Sequence, residues 1–185
     1  NRLEEAGDAF QRAIELEPKN VYAQGGASDG LRAQGKLPDA IARARQAIAA
    51  DRENAQGYIS LGNALAESGE RSAAGEAFRK AIEVEPLNAV SHSNLANILS
   101  SSKKPAERAE AIAQARNSVE LDPSYALGHL SLGNALLQDD QDDAALVAWR
   151  RAVELAPTLD AAHFMIGQIL LKQRKTDEAL DAFQK

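Results

Sequence analysis

Three histidines, His92, His129 and His163, stand 37 and 34 residues apart, and the chain of 185 residues has no others. Imidazole is the commonest metal ligand among side chains, so a recurring histidine first suggests zinc. A zinc ion needs each nitrogen at about 2.0–2.1 Å. Residues one interval apart fall on neighbouring helices packed about 8–10 Å from each other, and the outer two on helices about twice that distance apart. Three imidazoles cannot converge across such a span. They are read as core histidines, and no metal or other cofactor is expected. The cluster Asp139, Asp140, Asp142 and Asp143 suggests a calcium loop. It lacks the turn glycine, and Arg150 stands where the distal glutamate of such a loop belongs. The cluster lies where a helix begins, and carboxylates there complement the helix dipole. For catalysis there is no G-x-S-x-G, no H-E-x-x-H and no phosphate loop. With no cysteine there is no thiol nucleophile and no disulfide either. The carboxylates are scattered in the pattern of solvated faces. The chain is not expected to be an enzyme.

A fourth set of residues keeps the same clock. Asp29, Asn63, Asn97, Asn134 and Gln168 form a row of short polar side chains, with Asn94 and Ser60 beside it. An amide carries both a donor and an acceptor. A row of amides can therefore pair with the backbone of an extended peptide whatever its sequence.

The clock itself comes from the elements. Pro18 and Pro86 are 68 residues apart, Pro86 and Pro123 are 37, and Pro123 and Pro157 are 34. Phe10, Phe78, Trp149 and Phe183 follow at 68, 71 and 34. A period near 34 marks a solenoid, whose units bury their apolar faces only by stacking on one another. Counting back from the prolines gives one array over 1–185. It has a half unit at 1–20, full units at 21–54, 55–88, 89–125 and 126–159, and an incomplete unit at 160–185.

Within 55–88 the first helix is expected from about Ala55 to Ser68. Tyr58, Leu61, Gly62 and Leu65 share one face of it. Gly69 then ends that helix in the left-handed conformation. The second helix is expected from about Arg71 to Glu85, with Ala74, Phe78 and Ala81 on its stripe, until Pro86 stops it. Asn20, Asn54 and Asn88 are placed to cap the helices that follow them. In 1–20 the stripe of a second helix is Leu3, Ala6, Phe10 and Ala13. Apolar content of 44% with only 4% aromatics suits close helix packing on alanine and leucine.

These residues make the chain similar to the tetratricopeptide repeat family. That motif places Trp, Leu, Gly and Tyr on helix A and Ala, Phe, Ala and Pro on helix B. Here helix A carries Tyr58-Leu61-Gly62-Leu65 and His129-Leu132-Gly133-Leu136. Helix B carries Ala74-Phe78-Ala81-Pro86 and Ala145-Trp149-Ala152-Pro157. The segment LGNAL occurs twice. In 21–54, Arg52 replaces the proline and Ala44 the aromatic. In 89–125, Ala115 replaces the aromatic, Ala96 the glycine, and three extra residues fall within 100–105, lengthening the turn or adding about one helical turn.

The resemblance implies an all-α solenoid of stacked antiparallel helix pairs, a right-handed superhelix with helix A lining the concave face. It implies a scaffold or adaptor that binds a peptide or helical segment of a partner protein in that groove. The groove residues would be Asn63, Asn94, Asn97, Leu127, Leu130, Asn134, Leu137, Phe164, Met165, Gln168 and Leu171. Two readings of the amide row stand: a peptide-binding ladder, or the family's common choice at that position. Two also stand for the apolar part, Leu127, Leu130, Leu137, Phe164, Met165 and Leu171: a contact site, or a face covered by a further helix of the parent. The equivalents in 21–54 are Tyr22, Gly25, Gly26 and Arg32. Three glycines in one helix, Gly25, Gly26 and Gly30, allow close approach of a ligand backbone, tight packing on the preceding helix, or a frayed end. The fifth positions, Gly25, Ile59, Ser93, Leu130 and Phe164, supply no Lys or Arg, so the carboxylate clamp of chaperone-binding relatives is not expected.

Other classes follow from the ends and the charge. The chain opens and closes on a second helix, as a piece of a longer protein would, or as a chain whose uncapped ends self-associate. The alternative function to a scaffold is the substrate-positioning arm of a larger enzyme, such as a glycosyltransferase or sulfotransferase, with its catalytic domain outside this segment. The net charge of −6 argues against nucleic acid, whose phosphates demand a basic footprint. It equally argues against an anionic membrane surface. No apolar run reaches the roughly 18 residues that span a bilayer. The compartment is not identified, the cytoplasm being favoured over the periplasm.

Overall fold

The computed structural model describes residues 2–185, and side chains from residue 9 onward. Leu3 and Ala6 of the first stripe thus lie outside the described side chains. Among the described residues there are eleven α-helices and no strand. The chain divides into two compact units, Asn1–Ser91 and His92–Lys185. The first holds α1 (Arg2–Leu16), α2 (Val21–Ala33), α3 (Leu37–Ala50), α4 (Ala55–Glu67) and α5 (Arg71–Val84). Helix α6 (Ala89–Ser100) starts at the end of the first unit and runs into the second. The second continues with α7 (Pro105–Leu121), α8 (Ala126–Leu137), α9 (Asp142–Leu155), α10 (Asp160–Lys172) and α11 (Thr176–Phe183).

Short turns fold successive helices back on each other, and α2 packs on α3, α4 on α5, α8 on α9, and α10 on α11. Stops and starts follow local chemistry. Pro18, Pro86, Pro123 and Pro157 each sit two residues past the last helical residue. Arg52 holds the same place after α3. The Asn20 side chain accepts from the Ala23 amide at 2.9 Å, Asn54 from Gln56 at 2.9 Å and Asn88 from Ser91 at 3.1 Å. Each satisfies an amide that the first helical turn leaves unpaired.

Three of these pairs, α4 on α5, α8 on α9 and α10 on α11, are locked by a ring on a glycine. A methyl group at Gly62 would collide with the Phe78 ring, at Gly133 with Trp149, and at Gly167 with Phe183. Trp149 is wholly buried and Phe78 nearly so. Of the three glycines in α2, Gly26 packs on Phe10 of the preceding helix. A Cβ on Gly25 would lie 3.1 Å from Gln56 and 3.2 Å from Ser60 of α4, whereas one on Gly30 would meet nothing within 4 Å.

The turn inside each pair repeats one backbone device. The Lys36 amide donates to the Leu31 carbonyl at 2.9 Å, Glu70 to Leu65 at 2.9 Å, Gln141 to Leu136 at 3.0 Å and Lys175 to Leu170 at 2.9 Å. This bond from five residues along requires a left-handed residue just before its donor. Gly35 (φ 73°) and Gly69 (φ 87°) fill that place in the first unit, but Asp140 (φ 57°) and Arg174 (φ 62°) fill it in the second. A left-handed conformation costs an L-residue about 1–2 kcal/mol. Glycine's extra unfolded-state freedom offsets about 0.5–1 kcal/mol of that. Arg174→Gly is therefore expected to stabilise the second unit by about 0.5–1 kcal/mol. The check is a raised urea midpoint at unchanged slope, and an unchanged midpoint would contradict it.

The three extra residues went into a helix. Helix α7 has 17 residues where α3, α5 and α9 have 14, and the addition is at its N-terminal end, Pro105–Glu107. The turn before it uses no left-handed residue. The Ser102 amide donates to the Leu99 carbonyl at 2.9 Å and the Ser100 hydroxyl to Asn97 at 3.0 Å.

Candidate functional site

Helices α8 and α10 both pack on α9 in the second unit. Their inward faces carry Ala135 and Leu136, and His163, Ile166 and Leu170, all buried. Their other faces keep apolar residues in solvent. On α8, Leu127, Leu130, Asn134 and Leu137 are spaced by three and four, so they share one face. Leu127 is 44% exposed, while Leu130, Asn134 and Leu137 are half-buried. On α10, Phe164, Gln168 and Leu171 share a face. Phe164 is 53% and Leu171 48% exposed, Gln168 is exposed, and Met165 is half-buried. The Phe164 ring leans on Phe183, centroid to centroid 5.8 Å. Helix α6 meets α8 through a buried bond of 2.8 Å between the Ser93 and Ser131 hydroxyls. It presents Asn97, exposed, and Asn94, half-buried. Asn63 is half-buried on α4, in the other unit.

The row of polar residues is not uniform. The Trp149 indole donates to Asn134 Oδ1 at 3.1 Å, so one of this oxygen's two lone pairs serves the fold. Phe78, which holds the same register on α5, has no such donor. Burial pushes the Asp29 carboxyl above its usual range, against the pull of Arg32 at 3.5 Å. Arg32 also pairs with Glu67, joining α2 to α4. Partial burial likewise pushes the Tyr125 phenol, before α8, above its usual range, against the pull of its hydrogen bond with Ser93.

Two of the histidines have a structural task that spacing alone did not disclose. His129 Nε2 lies 3.0 Å from the Pro123 carbonyl and His163 Nε2 lies 2.9 Å from that of Pro157. Gln24 donates to the Pro18 carbonyl at 3.1 Å from the same place in its repeat. A carbonyl only accepts, so each neutral ring carries its proton on Nε2. His92 Nδ1 bonds Gln114 at 2.6 Å instead. His92 and His163 are buried, whereas His129 is only half-buried. Among the described residues no three acidic or imidazole groups gather for a metal. The aspartates at the start of α9 hold α10 in place. Asp142 pairs with Lys172 at 2.5 Å, and Asp143 accepts from Gln173 at 2.9 Å.

The sequence model of the tetratricopeptide repeat matches residues 26–89 and 143–185, more than half of the chain. The chain belongs to the tetratricopeptide repeat family. Its fold is the all-α solenoid of that family, helix pair on helix pair. The small glutamine-rich tetratricopeptide repeat-containing protein 2 of Mycosarcoma maydis is 35% identical over 81 residues, 44% of this chain. The match spans only 23% of that curated relative's length. Among solved structures, the tetratricopeptide chain is similar to a chain of the APC/C hetero-tetramer Cut9–Hcn1. Identity is 18% and the TM-score 0.86, over 98% of this chain and 36% of that one. It is also similar to YrrB, described as a TPR protein with an unusual peptide-binding site. There the identity is 22% and the TM-score 0.62, over 96% and 90% of the two chains. At these identities the likeness carries the fold alone. No helix among the described residues is long and apolar enough to cross a membrane.

Proposed function

We propose that this tetratricopeptide chain is a protein-interaction module that holds an apolar segment of a partner polypeptide on the outward faces of α8 and α10. The observation that carries the reading is exposure. Leu127, Phe164 and Leu171 stand 44%, 53% and 48% in solvent on two helices of one unit. Exposed apolar residues grouped in this way mark contact sites. An amphipathic helix or a short hydrophobic segment fits them, with its anchors at helical spacing. Leu130, Leu137 and Met165 would line the contact, and Asn94, Asn97 and Gln168 would border it with polar groups. Asn134 would offer its amide donors and the second lone pair of its oxygen. The peptide-binding site named for YrrB and the hetero-tetrameric assembly of Cut9–Hcn1 support the reading by likeness of fold.

The test is affinity capture with the wild-type chain and with Leu127→Asp, Leu171→Asp. Both leucines project from the core, so helicity is expected to stay unchanged. A buried leucine anchor contributes about 1.5–3 kcal/mol, so losing two such contacts should reduce capture at least a hundredfold. Undiminished capture by the double variant would remove this face from the account.

A further inference from the structure

The first unit contains a second surface, on a different side of the helix pairs. A cleft of about 510 Å³ opens between α3 and α5, floored by Tyr58, Leu61 and Leu65 of α4. The second unit holds its counterpart three repeats along, between α9 and α11, of about 230 Å³. Arg45 corresponds to Arg150, Leu61 to Ile166 and Leu65 to Leu170. One substitution removes the partner of the rim arginine. In the second unit Glu178 stands on the far wall, and its carboxylate reaches Arg150 at 3.7 Å across the cleft. In the first unit that wall carries Ala73, and among the described residues Arg45 makes no ion pair. The cleft is left open, apolar on its floor, with an unmatched guanidinium on its rim.

The other charged groups fix what could enter. Lys80 is already matched by Glu83, 2.5 Å away. Glu76 lines the α5 wall and repels a second acid there. Arg79 lies on the same wall, and the lining as a whole carries one net positive charge in a chain of net charge −6. The volume lies within the range of about 300–1,000 Å³ typical of ligand-holding clefts.

We propose that this cleft binds a peptide segment of another protein carrying aliphatic side chains beside a single carboxylate. The aliphatic groups lie on Tyr58, Leu61 and Leu65, and the carboxylate takes at Arg45 the place that Glu178 takes at Arg150. The site is independent of the stripes on α8 and α10.

The probe is a fluorescein-labelled, C-terminally amidated peptide, Gly-Ser-Leu-Leu-Glu-Ser-Gly, with its Gln-for-Glu counterpart. Binding is followed by amide chemical shifts on the whole chain. The acidic peptide is expected to shift the resonances of 58–65 and 73–80 and to bind at least threefold tighter than the Gln peptide, with the preference falling as salt rises. Ala73→Glu installs the missing carboxylate and should weaken the acidic peptide about tenfold. Arg45→Glu should abolish the preference for Glu over Gln. Arg45 is exposed and Ala73 is half-buried at the open cleft, both within helices, so the circular dichroism spectrum should match wild type. Equal binding of the two peptides, equal binding by Ala73→Glu, shifts confined to other residues, or no binding at millimolar peptide would each overturn the assignment.

Discussion

Trp149→Ala is expected to destabilise the second unit by about 3–5 kcal/mol, the usual cost of emptying a large aromatic site. The ring is wholly buried and fills the space left by Gly133. Its indole also supplies the hydrogen bond to Asn134 at 3.1 Å, so the same change leaves that oxygen without its donor. Trp149→Phe keeps a ring on the glycine, as Phe78 does in the first unit, and loses chiefly the hydrogen bond, about 1 kcal/mol. Solenoids unfold by neighbouring repeats rather than all at once. The appropriate readout is therefore native-state hydrogen exchange of the α8 and α9 amides. A loss below about 1 kcal/mol for Trp149→Ala would show that the ring-on-glycine lock does not hold the pair.

Two glycine-to-alanine changes of identical chemistry should act in opposite directions. At Gly62 the added methyl meets the Phe78 ring, which is itself 2% exposed and has nowhere to go. Overpacking costs about 1–3 kcal/mol. The clash involves the body of the ring rather than a flexible tip, so the upper end applies. Alanine's better helix propensity recovers about 1 kcal/mol, leaving a net loss of about 2 kcal/mol. At Gly30, within α2, a methyl meets nothing within 4 Å, so only the gain of about 1 kcal/mol remains. Urea unfolding of the two variants should straddle wild type. Shifts of the same sign in both would contradict the packing described here.

Much of the helix layout was legible because period, proline and cap residues all mark the same boundaries. The helix expected from about Arg71 to Glu85 runs Arg71–Val84, and the one expected from about Ala55 to Ser68 runs Ala55–Glu67. Asn20, Asn54 and Asn88 cap as their residue type dictates. The turns of the second unit were not legible, because Asp140 and Arg174 adopt a conformation that only the glycines at 35 and 69 announce. The packing role of Gly26 was one of three readings open from the sequence, and it needed the position of Phe10 to decide it. The second task of Asn134 was hidden because its partner, Trp149, occupies a place where the other described helices carry phenylalanine or alanine. The apolar residues of α8 were a different problem. Leu127, Leu130, Leu132, Leu136 and Leu137 crowd a 12-residue helix, so residue type alone cannot assign faces. Exposure separates Leu127 from Leu136, and that separation defines the candidate surface.

The most direct measurement places a photo-reactive side chain at position 127 or 171, and, as a control, at position 147. Val147 is as apolar and even more exposed, at 68%, but it stands on α9 rather than on the proposed face. A partner polypeptide should cross-link from 127 and 171 and not from 147. Adducts of equal yield at 147, or none from 127 and 171 while capture persists, would contradict the account.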